Sequence, residues 1–461
     1  MNKLYFRLTY KKLICKIMLI QNLKTFLKQF PRHWIVVASA WISKIIVVLV
    51  QIISIRSLLI YLGEDKYAVY VIVFSLTSWF NLAEFSVGLS LQNFISEFRS
   101  KNENYEKYII AALQIISILF IIAIFLTLFI ANPIQDIIFK KFVYIQEIQN
   151  INVIFITGIV AIITALLSIV YRVYYALHKG YIPNIMPAIA ASISMISIVL
   201  FNRYSSIRQS ILSALLIFTL PQLIITLVPF ITVFKSFFAK ILKFDFTIIK
   251  NLFTRAIKFH GMITLSMIYV QTDYLVISQT LNPNEIVMYN IFVRVFMFFS
   301  FIYTSVLGAF WPVSTEMFVK KKFREIKKTI KKYLTYVTLF MIIGTITVII
   351  FSKLIIKVLA PGLDIVPTIS LFLLFGFYIT IRSWQDTFIV FLQSINALKI
   401  FWIYMPFQVI VNVLMQYFLS KKYGAEGIVM GLILSILLIS LWVLPLKTHK
   451  IFKQREVYKN F

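Results

Sequence analysis

Apolar residues run through this chain in stretches of about 20 or more, the length a helix needs to cross a bilayer. Such stretches recur from end to end, at 34–60, 67–90, 108–131, 151–177, 182–201, 210–234, 257–280, 287–313, 333–358, 366–393, 397–419 and 425–446. The connectors between them are short and leave no room for a soluble domain. The pattern predicts an all-α integral membrane protein with about 12 transmembrane helices. Composition agrees. Hydrophobic residues make up 60% of the 461, with a mean hydropathy of +0.89, against roughly 45–50% apolar in soluble domains.

Three connectors carry a helical stripe of their own. Between the second and third runs, Leu91, Phe94, Ile95 and Phe98 fall at i, i+3, i+4 and i+7, with Gln92, Asn93, Ser96, Glu97 and Arg99 on the other side. That spacing predicts an amphipathic helix lying along the membrane interface. The central connector 235–258 repeats the device with Ile241, Phe244, Ile248 and Leu252, predicting an interfacial helix that bridges two halves. After the eighth run, Val319, Phe323, Ile326, Ile330 and Tyr333 recur among eight cations. This predicts a solvated or lipid-facing basic helix on an anionic leaflet, where each cation is worth ~1 kcal/mol.

The second half echoes the first. LGEDKYAVY (62–70) lies over LNPNEIVMY (281–289), an offset of 219, and the same offset brings Ser96-Glu97 onto Thr315-Glu316. A repeat of this kind predicts two six-span halves, a parallel-repeat plan known in transporters. The expected organisation is a basic N-terminal segment (1–33), a first bundle (34–234), a linker helix (235–256), a second bundle (257–446) and a tail (447–461).

The net charge of +29 suggests nucleic acid until the cations are placed. With the N-terminus inside, 32 of the 46 Lys and Arg fall in inner segments, nine in outer segments and five within the apolar runs. This is the positive-inside asymmetry. It places both termini and the linker in the cytoplasm, and no nucleic-acid partner is expected. Cys15 is the single cysteine, so neither an internal disulfide nor a cysteine metal cluster is expected.

Charges inside the runs are the candidate chemistry. An ionisable group at mid-membrane costs ~2.5–3.5 kcal/mol on insertion scales and so faces a partner or a wet cavity. Three are basic, Lys44, Arg294 and Arg382, and three acidic, Glu84, Asp273 and Asp386. They could be struts: Lys44 and Glu84 lie at comparable depth, as do Asp273 and Arg294, while Arg382 and Asp386 stand at i, i+4. Alternatively, Lys44, Arg294 and Arg382 line a water-filled cavity that binds an anionic head group. The acids then serve ion or proton coupling, Asp273 first because Gln271 and Thr272 adjoin it. No phosphate-loop, HExxH or GxSxG motif occurs, and His33, His178, His260 and His449 lack ligand spacing. No metal, cofactor, catalytic residue or ATP-driven step is expected.

Several strings, in this order and spacing, resemble a known family: PRHWIVVASAWISK (31–44), YLGEDKYAVY (61–70), AEFSVGLSLQNFISE (83–97), TDYLVISQTLNPNEIVMYN (272–290) and FWPVSTE (310–316). They look like the bacterial O-antigen and polysaccharide flippases of the multidrug/oligosaccharidyl-lipid/polysaccharide exporter superfamily. The resemblance runs from Pro31 to about Leu446. It implies two six-helix bundles around a central cavity that opens alternately to either side of the inner membrane. It also implies a lipid-linked oligosaccharide substrate, a polyprenyl-pyrophosphate repeat unit for O-antigen or a related surface polysaccharide, handled among membrane lipids. A polysaccharide polymerase and a chain-length regulator are implied partners. An ion-coupled multidrug exporter of the same superfamily is the alternative. A polytopic enzyme of polysaccharide assembly is a third reading, disfavoured because the longest outer loop is only 132–150.

Overall fold

The first two apolar runs form one bent rod. In this computed structural model, helix α1 (Arg32–Leu76) reverses at Gly63, whose φ of 73° is left-handed and rarely open to a residue with a Cβ. Residues 32–204, 210–242, 244–360, 368–395, 397 and 399–457 are described. The basic segment 1–31, five residues of the loop at 203–209 and the last four residues lie outside them, and with them the expectations for the N-terminal segment, that loop and the end of the tail.

After a 3-10 turn at Trp79–Glu84 come α2 (Val87–Ser100), α3 (Glu106–Ile138), α4 (Val153–Leu167), α5 (Ile169–Ala176), α6 (Tyr181–Tyr204) and α7 (Ile211–Phe234). The second half comprises α8 (Phe246–Thr280), α9 (Pro283–Val319), α10 (Phe323–Ile350), α11 (Ser352–Leu359), α12 (Ile369–Ser394), α13 (Lys399–Ser435) and α14 (Leu441–Val457). Among the described residues, eight apolar segments are long enough to cross a membrane. Two of them turn back, at Gly63 and Gly424, and so cross twice. With α8 and α12, which are 35 and 26 residues long, the described residues make twelve crossings. No strand occurs among them.

The reversal in α13 depends on small residues. A Cβ on Gly427 would fall 2.2 Å from the Leu419 carbonyl oxygen, and one on Gly431 2.5 Å from the Gln416 nitrogen. Glycines four apart thus let the two limbs of α13 touch backbone to backbone. Within the first half, α1 packs on α6, α4 on α3 and α7, and α6 on α7; within the second, α8 packs on α13, and α12 on α9 and α10. The halves meet where α9 lies along α1 and where α8 lies against α2 and α3.

Alternate crossings place the cation-rich connectors, 235–258 and 320–332, at one end of the bundle, here called the basic end. Gly63, the α8–α9 turn and α11 lie at the opposite end, here called the far end.

All three stripe predictions need correction. Leu91 and Ile95 of α2 are completely buried and Phe94 nearly so, against α5 and α8 rather than lipid. The reason is that Leu252 and Ala256, in the first turns of α8, supply a protein surface for that stripe. Ser90 Oγ donates to the Leu252 carbonyl at 2.9 Å, and Arg255 pairs with Glu97 at 2.9 Å while its guanidinium lies 4.1 Å over the Phe94 ring. The basic stripe of α10 is likewise internal. Phe323, Ile326 and Ile330 are buried, with Phe323 beside Phe452 of α14, and only the lysine-rich face stays open. It is the first turns of a crossing helix, not a separate interfacial element. The central connector is not one helix either. It makes a turn at Phe238–Lys240, then α8 starts where Asp245 Oδ1 accepts the Ile248 N–H at 3.2 Å and continues unbroken across the membrane.

The third crossing outruns its apolar stretch 108–131, since α3 continues through Pro133 to Ile138. There Gln135 Nε2 donates to the carbonyls of Ile148 and Ile151, both at 2.9 Å, and so folds the loop back on the helix.

Candidate functional site

Where α1 and α9 separate, a cavity of about 380 Å³ opens between the halves. From the first half come Gln51 on α1 and Ser75, Thr77, Ser78 and Asn81 at the end of its returning limb; from the second come Gln271 and Tyr274 of α8 and Asn290 and Arg294 of α9. A second cavity of about 250 Å³ shares Gln51, Phe74, Thr77 and Asn81 and reaches Thr164, Ser194, Thr219 and Gln222 inside the first half. The two share a wall and make one seam of amides and hydroxyls set among apolar and aromatic side chains.

Among the described residues, Arg294 is the single charged one lining either cavity. It belongs to a junction at the far side of the cavity. Asn290 Oδ1 accepts from Arg294 Nε and from the Tyr67 hydroxyl, both at 3.1 Å, and Asn290 Nδ2 donates to the Tyr274 hydroxyl at 3.0 Å. The junction ties α1 to α9 and α8. Nearby, Gln279 Nε2 donates to the Ile137 carbonyl at 2.8 Å, tying the end of α8 to α3.

The other mid-membrane charges sort into different places. Lys44, on α1, is exposed, with its Nζ 5.6 Å over the Phe301 ring of α9. It lies at the α1–α9 contact, two turns nearer the basic end than Gln51, and is not among the residues that line either cavity. Glu84 does not meet Lys44. Its Oε1 accepts the Gly88 N–H at 2.7 Å, and its charged neighbour is Arg172 of α5.

Asp273 does not meet Arg294. It follows Gln271 by two residues, about 200° around the helix, so when Gln271 faces the cavity Asp273 faces the interior of the second half. There Asp273 accepts from the Tyr289 hydroxyl at 2.8 Å and the Tyr274 N–H at 2.9 Å. Arg382 is its cationic neighbour, and Arg382 Nη1 donates to the Tyr378 hydroxyl at 2.6 Å. Asp386 adjoins Arg382 electrostatically but makes no salt bridge with it among the described residues. The structure therefore gathers Asp273, Arg382 and Asp386 into one buried cluster, and leaves Arg294 to the cavity without a carboxylate partner among the described residues.

Beside that cluster runs a feature sequence reasoning missed. Tyr404, Gln408, Asn412, Gln416 and Ser420 of α13, each at most 2% exposed, form a polar file against α8 and α12. Over sixteen residues it rises about 24 Å, most of the ~30 Å hydrocarbon thickness. Asn412 Nδ2 reaches the Tyr269 carbonyl at 3.4 Å and Gln416 Nε2 donates to Asn412 Oδ1 at 2.9 Å. Gln408 Nε2 and Gln416 Oε1 find no protein partner among the described residues. Each unmet polar group in hydrocarbon costs several kcal/mol, which points to a hydrated file. A polar residue at every fourth position of an apolar run was the available signal.

No family model matches the chain. The chain is 33% identical over 423 residues to an O-antigen export protein of Yersinia pseudotuberculosis, covering 90% of this chain and 95% of that one. It is 34% identical over 423 residues to an O-antigen transporter of Salmonella typhi, covering 92% and 97%. Among solved structures, it is similar to the lipid II flippase MurJ in an inward closed conformation (TM-score 0.65, 15% identity, 91% of this chain and 89% of that one). It is also similar to an inward-facing multidrug resistance MATE family transporter of the MOP superfamily (TM-score 0.70, 11% identity, 88% and 95%). At such identities these two likenesses bear on the fold.

Proposed function

The chain belongs to the family of O-antigen transporters, and from that premise we propose that it is a flippase for polyprenyl-pyrophosphate-linked oligosaccharide repeat units. It carries them by alternating access from the cytoplasmic to the opposite leaflet of the inner membrane, as a transporter and not an enzyme. The basic end is cytoplasmic and holds both termini, because cations are retained on that side. A polysaccharide polymerase and a chain-length regulator are the partners that such an activity serves.

The observation that carries the reading is one guanidinium, Arg294, that has no carboxylate partner among the described residues and faces a seam of amides and hydroxyls. A glycan needs many neutral donors and acceptors, whereas a pyrophosphate needs a fixed cation that presents a planar fork of N–H groups. Arg294 takes the pyrophosphate, Lys44 serves the approach along the α1–α9 seam, and Gln51, Asn81, Gln222 and Gln271 face the sugars. Arg382, hydrogen-bonded to Tyr378 and next to Asp273, tunes the second half. Asp273 and Asp386 couple transport to an ion through the file on α13, and Glu84 is the corresponding acid of the first half.

The test is surface-polysaccharide production in a flippase-deficient strain, with membrane levels checked by immunoblot. Arg294→Gln is expected to abolish production. Adding Asp273→Asn is not expected to restore it, since the two side chains do not pair. Normal polysaccharide from Arg294→Gln, or rescue by the double substitution, would remove Arg294 from the substrate site.

A further inference from the structure

We propose that the groove enclosed by α1, α9, α10 and α11 holds the polyprenyl chain of the substrate in the far-end leaflet while its head group occupies the Arg294 cavity. The inference rests on the transport reading above and adds a site for the lipid tail. The groove measures about 440 Å³. By the scale of a ~150 Å³ cavity that admits one benzene, it accommodates about three or four isoprene units.

Its lining is apolar throughout. Thr347 contributes the one hydroxyl, which donates to its own helix at the Ile343 carbonyl (2.8 Å) and so leaves a methyl for the groove. Ile52 and Phe298 line both this groove and the Arg294 cavity, so the compartment that holds the cation and the apolar slot adjoin at these two side chains. An amphiphile with a charged head and a long hydrocarbon tail fits such a junction, and neither a free sugar nor a free phosphate needs the second compartment.

Helix α11 fixes the depth. It starts two residues after α10 and packs against both α10 and α1, forming a lip at the far end. Leu354 and Val358 line the groove, while Lys353 and Lys357 are exposed one position earlier on each turn. Lysines in that register hold a helix at the membrane surface with its apolar side inward. The groove therefore runs from the far-end surface to mid-depth. Its walls belong to both halves, since Ile52 is in the first and the rest in the second, so it changes shape when the halves move. Tail and head group then reach the far leaflet by separate routes, the tail along the seam and the head through the cavity.

The experiment is photocrosslinking in proteoliposomes of phosphatidylethanolamine and phosphatidylglycerol. The probe is a tritium-labelled polyprenyl diphosphate monosaccharide. The photoreactive residue p-benzoylphenylalanine is placed at Val358 in the groove, Met297 in the cavity, or Ile121, an outward residue of α3 that is 68% exposed. Label is expected at Val358 and Met297 well above Ile121. Val348→Phe, which narrows the groove without adding polarity, lowers labelling at Val358 about tenfold, the factor for losing burial of roughly two methylene groups. If that variant does not accumulate, Leu354→Gln at the rim serves the same purpose. Label at Met297 with only background at Val358 would overturn the tail groove and leave the transport reading intact. Label at Val358 that neither substitution lowers marks bulk-lipid contact and also overturns it. Absence of label from both positions would remove the cavity reading and this inference with it.

Discussion

The hydroxyl of Tyr67 offers a one-atom test of how the far end is held shut. Tyr67 is fully buried, and its hydroxyl donates to Asn290 across the two halves at 3.1 Å. Tyr67→Phe deletes that bond and keeps the ring, which stacks on Tyr70 at 5.9 Å. Asn290 Oδ1 retains Arg294 Nε as a donor, so no buried acceptor is stranded and the cost is that of one net hydrogen bond. At about 1 kcal/mol, with a range of about 0.5–1.5, the balance between closed and open far ends shifts about fivefold, within about 2- to 13-fold. Tyr70→Phe is the matched control, because the Tyr70 hydroxyl makes no hydrogen bond among the described residues and its ring packs on Phe74 and Phe218. The reporter is Ser75→Cys in the cavity wall, on a Cys15→Ser background that removes the single native cysteine. Its reaction with a membrane-impermeant maleimide, added from the far side, is expected to quicken about fivefold in Tyr67→Phe and not at all in Tyr70→Phe. Equal rates in the two variants would refute the idea that this bond holds the far end closed.

Three further expectations follow from the packing. In the same cysteine-free background, Lys327→Cys should label only from the cytoplasm and Lys141→Cys only from the other side; labelling of position 327 from the far side would invert the orientation. Phe94→Asp should lower stability by at least ~3 kcal/mol, since it removes a buried ring and strands a carboxylate, whereas Asn93→Lys should be tolerated; equal melting temperatures in detergent would mean that α2 is not docked on α8. Gly427→Ala should cost about 1–3 kcal/mol, because its methyl meets the Leu419 carbonyl. Gly308→Ala, where nothing lies within 4 Å of the new methyl, should melt like the parent in a thermal-shift assay.

Much of the architecture was legible because it rests on local properties. Bilayer thickness sets the length of an apolar run, helix period sets which residues share a face, and cation placement divides inner from outer connectors. Thus the twelve crossings, the stripe of α2 and the two ends of the bundle all stand in the sequence. What covers each stripe does not. Leu91 and Ile95 have the same spacing whether lipid or Leu252 covers them, and the choice fell to the protein because α8 begins at Asp245 and runs under α2.

The mid-membrane charges divide in the same way. The sequence determined that Lys44, Glu84, Asp273, Arg294, Arg382 and Asp386 lie within apolar runs, where each needs a partner or water. Depth alone matched Asp273 with Arg294 and Lys44 with Glu84. Only the tertiary structure decided otherwise, by rotating each helix about its axis and choosing its neighbour. Asp273 turned toward Tyr289 and Arg382, Glu84 toward Arg172, and Arg294 into the cavity. Rotation and neighbour are fixed by side-chain packing over whole helices, information that no short window of sequence contains.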